Sequence, residues 1–331
     1  MKKSTRTLLL LALIVIALIF FYQRCLKRKE QPEPTPGPIA GKLVVRFLNI
    51  GQGDSQVLQL PNGQTILIDA GDNGKPTVQL LRDYGVQEID LAIGTHPHAD
   101  HIGQMVEVMR AFKVKEFWDA GFANNPTKTY RDMLAEIKKQ GIKFAAPRRG
   151  DSRDFGEVKL QVLNPAASFI DDSPNNASIV VRVTYGKNRL LFTGDAEIAA
   201  WRQMIESAGD KLHADLLKAA HHGSSNGTNK DILDAVRPSI ITISCAAGND
   251  YHHPHPRVVN LLKRDNNVRV YRTDLEGTIT ALCDGNTIEM STERQVDRAM
   301  LYATGDEVAG KPQSSDDGGA MDAGKRSRRS R

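Results

Sequence analysis

Apolar residues in this chain come in two kinds of run. One unbroken stretch, LLLLALIVIALIFFY, fills residues 8–22, whereas from residue 42 onward the apolar segments are short and alternate with longer amphipathic stretches. Short runs of this kind, bounded by turn residues, predict strands at 43–48, 65–68, 89–93, 179–184, 190–192, 215–217 and 239–244. Helical spacing follows Pro76, which suits a first helical position and leads to Gly85 as a stop. It also follows Thr127, where Tyr130, Met133, Leu134 and Ile137 share one face before Gly141. The alternation predicts sheets covered by helices.

The pattern also repeats weakly. Residues 56–60 and 65–68 flank the turn Pro61-Asn62-Gly63, and the second segment ends in Asp69; residues 179–184 and 190–192 flank Gly186-Lys187-Asn188, and the second segment runs into Gly194-Asp195. Each hairpin delivers one aspartate at a strand end. Further on, the step from Asp90 to His96 recurs from Asp215 to His221, which makes His221 the counterpart of His96 and His222 its neighbour.

The composition, with 40% hydrophobic and 25% charged residues in 331, allows a sizeable globular core. Cys25, Cys245 and Cys283 are too few and too scattered for a disulfide framework or a cysteine zinc site. The net charge of +5 is mild, and much of it lies in Lys325, Arg326, Arg328, Arg329 and Arg331. Such an end is first a solvated tail and only secondarily a contact for nucleic acid or anionic lipid. The run at 8–22 is flanked by Lys2, Lys3 and Arg6 before it and Arg24, Lys27, Arg28 and Lys29 after it, with no small-residue cleavage site. It reads as an uncleaved anchor, of an orientation that the near-symmetric charge leaves open. QPEPTPGP then reads as a stiff spacer. The expected organisation is a basic segment 1–7, an anchor 8–23, a Pro-rich linker 24–41, a hydrolase domain 42–291 and a disordered basic tail 292–331.

The chemistry is concentrated in histidine. Eight of nine histidines fall in three clusters, the first reading Thr95-His96-Pro97-His98-Ala99-Asp100-His101. His96 and His98, two apart on an extended segment, point to one side; Asp100 and His101, after the bend, turn toward a second position nearby. One loop can therefore supply two adjacent cations, and solvated histidines in a polar turn are the bland alternative. If the halves pack face to face, Asp69, His96, His98, Asp195 and His221 gather along one edge as a two-metal cleft, with Asp195 as a bridging ligand. Asp69 can instead anchor the histidine loop through hydrogen bonds. In the third cluster, Tyr251-His252-His253-Pro254-His255-Pro256, His253 or His255 either completes the metal site or stacks in a rim that shapes substrate.

Several runs together resemble the metallo-β-lactamase superfamily, and within it the hydrolase domain of the ComEC/Rec2 DNA-uptake (competence) proteins. They are Phe47-Leu48-Asn49-Ile50-Gly51-Gln52-Gly53-Asp54-Ser55, Leu67-Ile68-Asp69-Ala70-Gly71, the run from His96 to His101, Asn176-Ala177-Ser178, Phe192-Thr193-Gly194-Asp195, His221-His222-Gly223-Ser224, His253-Pro254 and Val270-Tyr271-Arg272-Thr273. The likeness spans roughly residues 42–290. It implies an α/β fold of the αββα four-layer sandwich type and a hydrolase using one or two divalent ions, zinc or manganese. By position, His96 and His98 would hold the first ion, Asp100 and His101 the second, and Asp195 would bridge. A third histidine of the wider superfamily is replaced here by Pro174-Asn175-Asn176-Ala177-Ser178, so His221 or a water would fill that place. His253 joins the metal set, while Asp69, Asn176, Ser178 and His222 are read as supporting residues and Asp100 and Asp195 as the catalytic pair.

These readings predict a membrane-anchored, metal-dependent phosphodiesterase or nuclease acting on DNA or another phosphodiester, with its hydrolase domain on the outer face of the cell membrane. Competence or DNA-uptake components are candidate partners, and Arg148, Arg149 and the basic end are candidate polyanion contacts. A single apolar run cannot form a DNA channel by itself. Hydrolysis of a cell-wall or lipid phosphodiester or of a small ester or lactone is the alternative enzyme, and a catalytically silent DNA-binding module is the alternative from another class.

Overall fold

The structure, a computed structural model, describes residues 39–265 and 267–310. The anchor expected at 8–23 and the linker as far as residue 38 lie outside the described residues, as does the basic end. Among the described residues no helix is long and apolar enough to cross a membrane.

Two mixed sheets carry the chain. The first has eight strands in the order Ile288–Thr292, Ile279–Cys283, Leu43–Phe47, Gln56–Gln59, Thr65–Ile68, Leu91–Gly94, Glu116–Asp119 and Lys143–Ala145. The second has seven, in the order Arg269–Arg272, Ile240–Ile243, Leu216–Lys218, Asn188–Phe192, Val180–Tyr185, Val158–Asn164 and Ser152–Phe155. In each, an antiparallel hairpin leads into parallel pairing: Gln56–Gln59 with Thr65–Ile68 and then Leu91–Gly94, and Val180–Tyr185 with Asn188–Phe192 and then Leu216–Lys218. This is the sequence repeat made physical. Asp90 and Asp215 serve the same purpose in each half, accepting at 2.8 Å from the backbone N–H of Thr65 and of Arg189 at the starts of the neighbouring strands.

The strands read as continuous apolar runs because both of their faces are buried. In Thr65–Ile68, Ile66 and Ile68 enter the core between the sheets while Leu67 points to the helices outside. In Asn188–Phe192, Leu190 and Phe192 face inward and Leu191 outward. Phe47 and Phe192 stack across the inter-sheet core with centroids 6.0 Å apart. Outside the first sheet lie the helices Thr77–Asp83, Met105–Ala111 and Lys128–Gln140, contributing Leu81, Val108 and Met133; outside the second lie Ile198–Ala208, Lys230–Val236 and Pro256–Arg264, contributing Trp201, Ile232 and Leu262. The order helix, sheet, sheet, helix is the four-layer arrangement that the family resemblance implies. Thr127 caps the helix Lys128–Gln140 by accepting from Tyr130 N–H, and Gly141 ends it at φ 65°.

One boundary differs from expectation. The strand expected at 89–93 is broken at Asp90, since Glu88–Ile89 pairs with Lys113–Val114 in a separate ladder while Leu91–Gly94 joins the large sheet. Within the segment expected as a tail from residue 292, the described residues carry secondary structure. Residues 298–302 form a short helical turn and Gly305–Val308 a helix with a Thr304–Glu307 capping box. Buried Arg272 holds this segment, donating to the carbonyls of Leu301 and Ala303, and His252 Nδ1 lies 2.7 Å from Asp306. A polar composition concealed a segment whose ordering comes from long-range hydrogen bonds.

Candidate metal centre

Parallel strands of an open sheet end on one side, and the loops beyond those ends collect there. Asp69 follows Thr65–Ile68, the histidine run follows Leu91–Gly94, Asp195 follows Asn188–Phe192, and His221 and His222 follow Leu216–Lys218. Two glycines allow the loops to close on each other. A Cβ on Gly53, at φ 126°, would stand 2.4 Å from the carbonyl oxygen of Asp100, and one on Gly194, at φ 49°, would stand 2.9 Å from the Thr95 side chain.

The result is a set of converging donor atoms, two of which have no hydrogen-bond partner. Asp100, His101, Asp195 and His222 each present one ligand atom, and all four atoms lie within 4.8 Å of one another. His101 Nε2 and Asp195 Oδ1 are 3.2 Å apart, both buried, yet neither makes a hydrogen bond. Two lone pairs meeting in this way call for a cation or a proton between them. Beside this set, His96 Nε2 is 3.0 Å from His98 Nδ1 and 3.9 Å from Asp195 Oδ2, and His221 Nε2 is 3.8 Å from the same oxygen. Asp195 thus stands between two donor groups.

Neighbouring residues fix which nitrogen of each ring faces inward. Asp69 accepts from the Thr95 N–H and from the Thr95 hydroxyl, each at 2.8 Å, and from His101 Nδ1–H at 2.7 Å, leaving His101 Nε2 as the inward lone pair. Because its proton goes to Asp69, the Thr95 hydroxyl can accept from His96 Nδ1–H at 3.2 Å, which turns the lone pair of His96 Nε2 to the cleft. His222 Nδ1–H donates to the Ser244 carbonyl at 2.9 Å and aims Nε2 at Asp100, 3.2 Å away. Ser178 accepts from Asp195 N–H at 3.1 Å. The residues therefore fit a divalent cation: three oriented imidazole lone pairs converge with two carboxylates.

The electrostatics agree. Burial opposes charge on His101, yet Asp195, Asp69 and Asp100 together hold it well above the ordinary histidine value, a field that favours positive charge at this point. Burial tends to raise Asp195, but His101, His222 and His221 hold it well below the usual carboxylate range. Burial, with His101 adjacent, keeps His96 neutral.

His222 lies in the four-donor set, and His221 has its Nδ1 3.3 Å from Glu197 and its Nε2 3.8 Å from Asp195 Oδ2, about as close as His96 comes to that oxygen. Both residues have left-handed backbone angles, φ 50° and 55°, and this tight turn redirects the two rings in a way that a strand register cannot foresee. His253 does not join a donor set among the described residues; burial and the nearby His222 and His221 push it down to about 3, and its ring lies 5.5 Å from that of His221 as part of the wall. Asn176 lies behind the site, where its Oδ1 accepts from the backbone N–H groups of Glu197 and Ala200 at the start of the helix Ile198–Ala208. Arg148 and Arg149 are bound to backbone carbonyls, those of Ala120 and Leu163 respectively.

Sequence reading missed Asp54 and Lys218, which form an ion pair with both side chains 1% exposed beneath Asp195. Lys218 also donates to the Gly194 carbonyl at 3.2 Å. A lysine at the end of the apolar run Leu216-Leu217 was the available signal. The centre opens into a cleft of about 360 Å³ whose walls add Gln52, Asp72, Asn175, Tyr251 and His253; among the described residues no lysine or arginine lines it.

Comparison with known proteins accords with this geometry. ComE operon protein 3 of Bacillus subtilis (strain 168) is 31% identical over 255 residues, covering 71% of this chain and 32% of the relative. Competence protein ComA of Neisseria gonorrhoeae is 27% identical over 253 residues, covering 75% and 33%, and Recombination protein 2 of Haemophilus influenzae is 28% identical over 241 residues, covering 71% and 27%. The chain thus spans about a third of the length of these curated relatives. The family model described as Metallo-beta-lactamase superfamily matches residues 48–246, which includes every residue of the four-donor set, and this chain belongs to that superfamily.

Proposed function

We propose that this protein is a metal-dependent phosphodiesterase acting on DNA or another phosphodiester, held at the outer face of the cell membrane by the apolar run at residues 8–22. The observation that carries the reading is the convergence of Asp100, His101, Asp195 and His222 within 4.8 Å beside the His96–His98 pair. Adjacent donor sets sharing one carboxylate suit a phosphodiester, whose attacking and departing oxygens both need charge stabilisation. Asp100, His101, Asp195 and His222 would hold a divalent cation, zinc or manganese, which would supply a water with its pKa lowered from about 16 toward about 7 and charge to set against the phosphoryl group. Asp69, Thr95 and the Ser244 carbonyl orient the Nε2 atoms of His101, His96 and His222 toward the cleft, and Ser178 holds the Asp195 backbone. His221, 22% exposed with Glu197 beside its ring, stands at the mouth of the cleft, where substrate enters. Similarity to competence and recombination proteins supports nucleic acid as the substrate and DNA-uptake components as partners.

The test loads the full chain with Mn²⁺ or Zn²⁺ and follows bis(p-nitrophenyl) phosphate and single-stranded DNA. The wild type should retain one or two ions and cleave both. Asp195→Ala should lose bound metal and lose more activity than the roughly 10–100-fold that removal of an outer partner costs. A loaded wild type that leaves both substrates intact would overturn the reading; cleavage of lipid-linked or cell-wall phosphodiesters alone would move it to that class.

A further inference from the structure

Tyr251 is 64% exposed, the most exposed of the large hydrophobic side chains among the described residues, and it lines the same cleft as Asp100, Asp195 and His222. Its ring lies nearly parallel to that of buried His253, with centroids 5.9 Å apart and an interplanar angle of 24°. The loop beneath is braced from two sides. Asn249 accepts from the N–H groups of Tyr251 and His253 and donates to the carbonyls of Ala246 and His253. From behind, Gly305 packs so closely that a Cβ there would come within 2.3 Å of the His253 carbonyl oxygen, and His252 pairs with Asp306. An exposed aromatic ring on a loop held this firmly has its geometry set before any ligand arrives.

The charge around it narrows what that ligand is. Asp72 and Asp100 line the cleft with it, Asp250 precedes it in the chain, and no lysine or arginine lines the cleft among the described residues. A polyanion therefore gains little from side-chain charge at this mouth. Contact through an uncharged planar group would supply the affinity that basic residues provide elsewhere.

We propose that Tyr251, backed by His253, is a stacking platform for a nucleobase next to the scissile phosphate, which makes the substrate of this centre a base-bearing phosphodiester. The proposal rests on the phosphodiesterase reading for the bond that is cut, but the platform is separately measurable. Stacking tolerates any base, because every base has a π face, so the platform confers preference for nucleic acid over lipid or sugar phosphodiesters without sequence specificity.

The test uses the full chain with a short single-stranded oligonucleotide carrying 2-aminopurine on a phosphorothioate backbone, so that cleavage does not compete with binding. The fluorescence should be quenched on binding to the wild type and to Tyr251→Phe. Tyr251→Ala should bind about tenfold or more weakly, as loss of a stacking aromatic does. In parallel, kcat/KM is compared for oligothymidylate and for the same backbone with abasic residues. The wild type should favour the base-bearing strand through KM, and Tyr251→Ala should bring the ratio near one. Equal binding and equal cleavage of base-bearing and abasic strands by the wild type would overturn the platform while leaving the phosphodiesterase intact. Binding that depends on both base and Tyr251, in a protein that cuts no phosphodiester, would support the platform and overturn the phosphodiesterase.

Discussion

Lys218 shows how far a single side chain can determine the state of this centre. Asp54, Asp69 and Asp195 are each buried to within 2% of full, and Lys218, equally buried, is paired with Asp54 and 4.0 Å from Asp195. Without it, the Asp54 carboxylate would be an uncompensated buried charge. Lys218→Met should therefore destabilise the protein by about 3–5 kcal/mol in urea denaturation, the cost of breaking a buried pair from one side. The double variant Asp54→Asn/Lys218→Met should recover most of that loss, because it removes the stranded charge. Equal stability of the single and double variants would show that the pair is not the source. The supporting part expected of Asp69 fits its three contacts to Thr95 and His101. The direction of the His222 ring, set in a left-handed turn, depends on two backbone angles and not on spacing along the chain.

Elements show the closest match between pattern and structure. The hairpins and the capped helix Lys128–Gln140 follow from local signals: turn residues, apolar runs and a threonine before a helical face. The short helix Thr273–Glu276 does not, because remote segments hold it: Thr273 bonds to the backbone of Cys245, and Arg294 donates to the carbonyls of Asp274 and Leu275. Its Glu276 accepts at 2.7 Å from the Arg272 N–H, and burial pushes the carboxyl up to about 7, with Asp274 adding to the effect against the pull of that N–H and of Arg272. The folded state then holds a proton that the unfolded chain releases near 4.5. Stability should fall as pH rises from about 4.5 to about 7 and then level off on account of this group. Glu276→Gln keeps an acceptor but removes the titration, so its Tm should match the wild type near pH 4.5 and exceed it above pH 7. A Tm difference that does not change with pH would assign the effect elsewhere.

For the whole molecule, the segment from 297 to 308 packs onto the two-sheet domain. Arg272, fully buried and paired with Asp274, also donates to the carbonyls of Leu301 and Ala303, and Gly305 and Asp306 lie against the loop that presents Tyr251 and His253. A chain ending at residue 292 should melt at least about 2–4 °C below one ending at 310, the shift expected for each kcal/mol in a domain of this size. Unchanged melting would mean that the segment lies on the surface without contributing to it.

By itself, the sequence determined the kind of chemistry and the scaffold. Repeated hairpins, buried strands and histidine–aspartate clusters are local patterns, and local patterns survive in one dimension. Only the tertiary structure decided which donors share a centre. Asp100 and His101 lie more than ninety residues from Asp195 and His222, and their meeting depends on two sheets packing face to face with their parallel strands ending on the same side. The same packing buried Asp54 with Lys218, tied Arg148 and Arg149 to carbonyls, and left Tyr251 at the mouth. Distances of a few ångströms between remote segments are set by the packing of whole layers, which no spacing along the chain encodes.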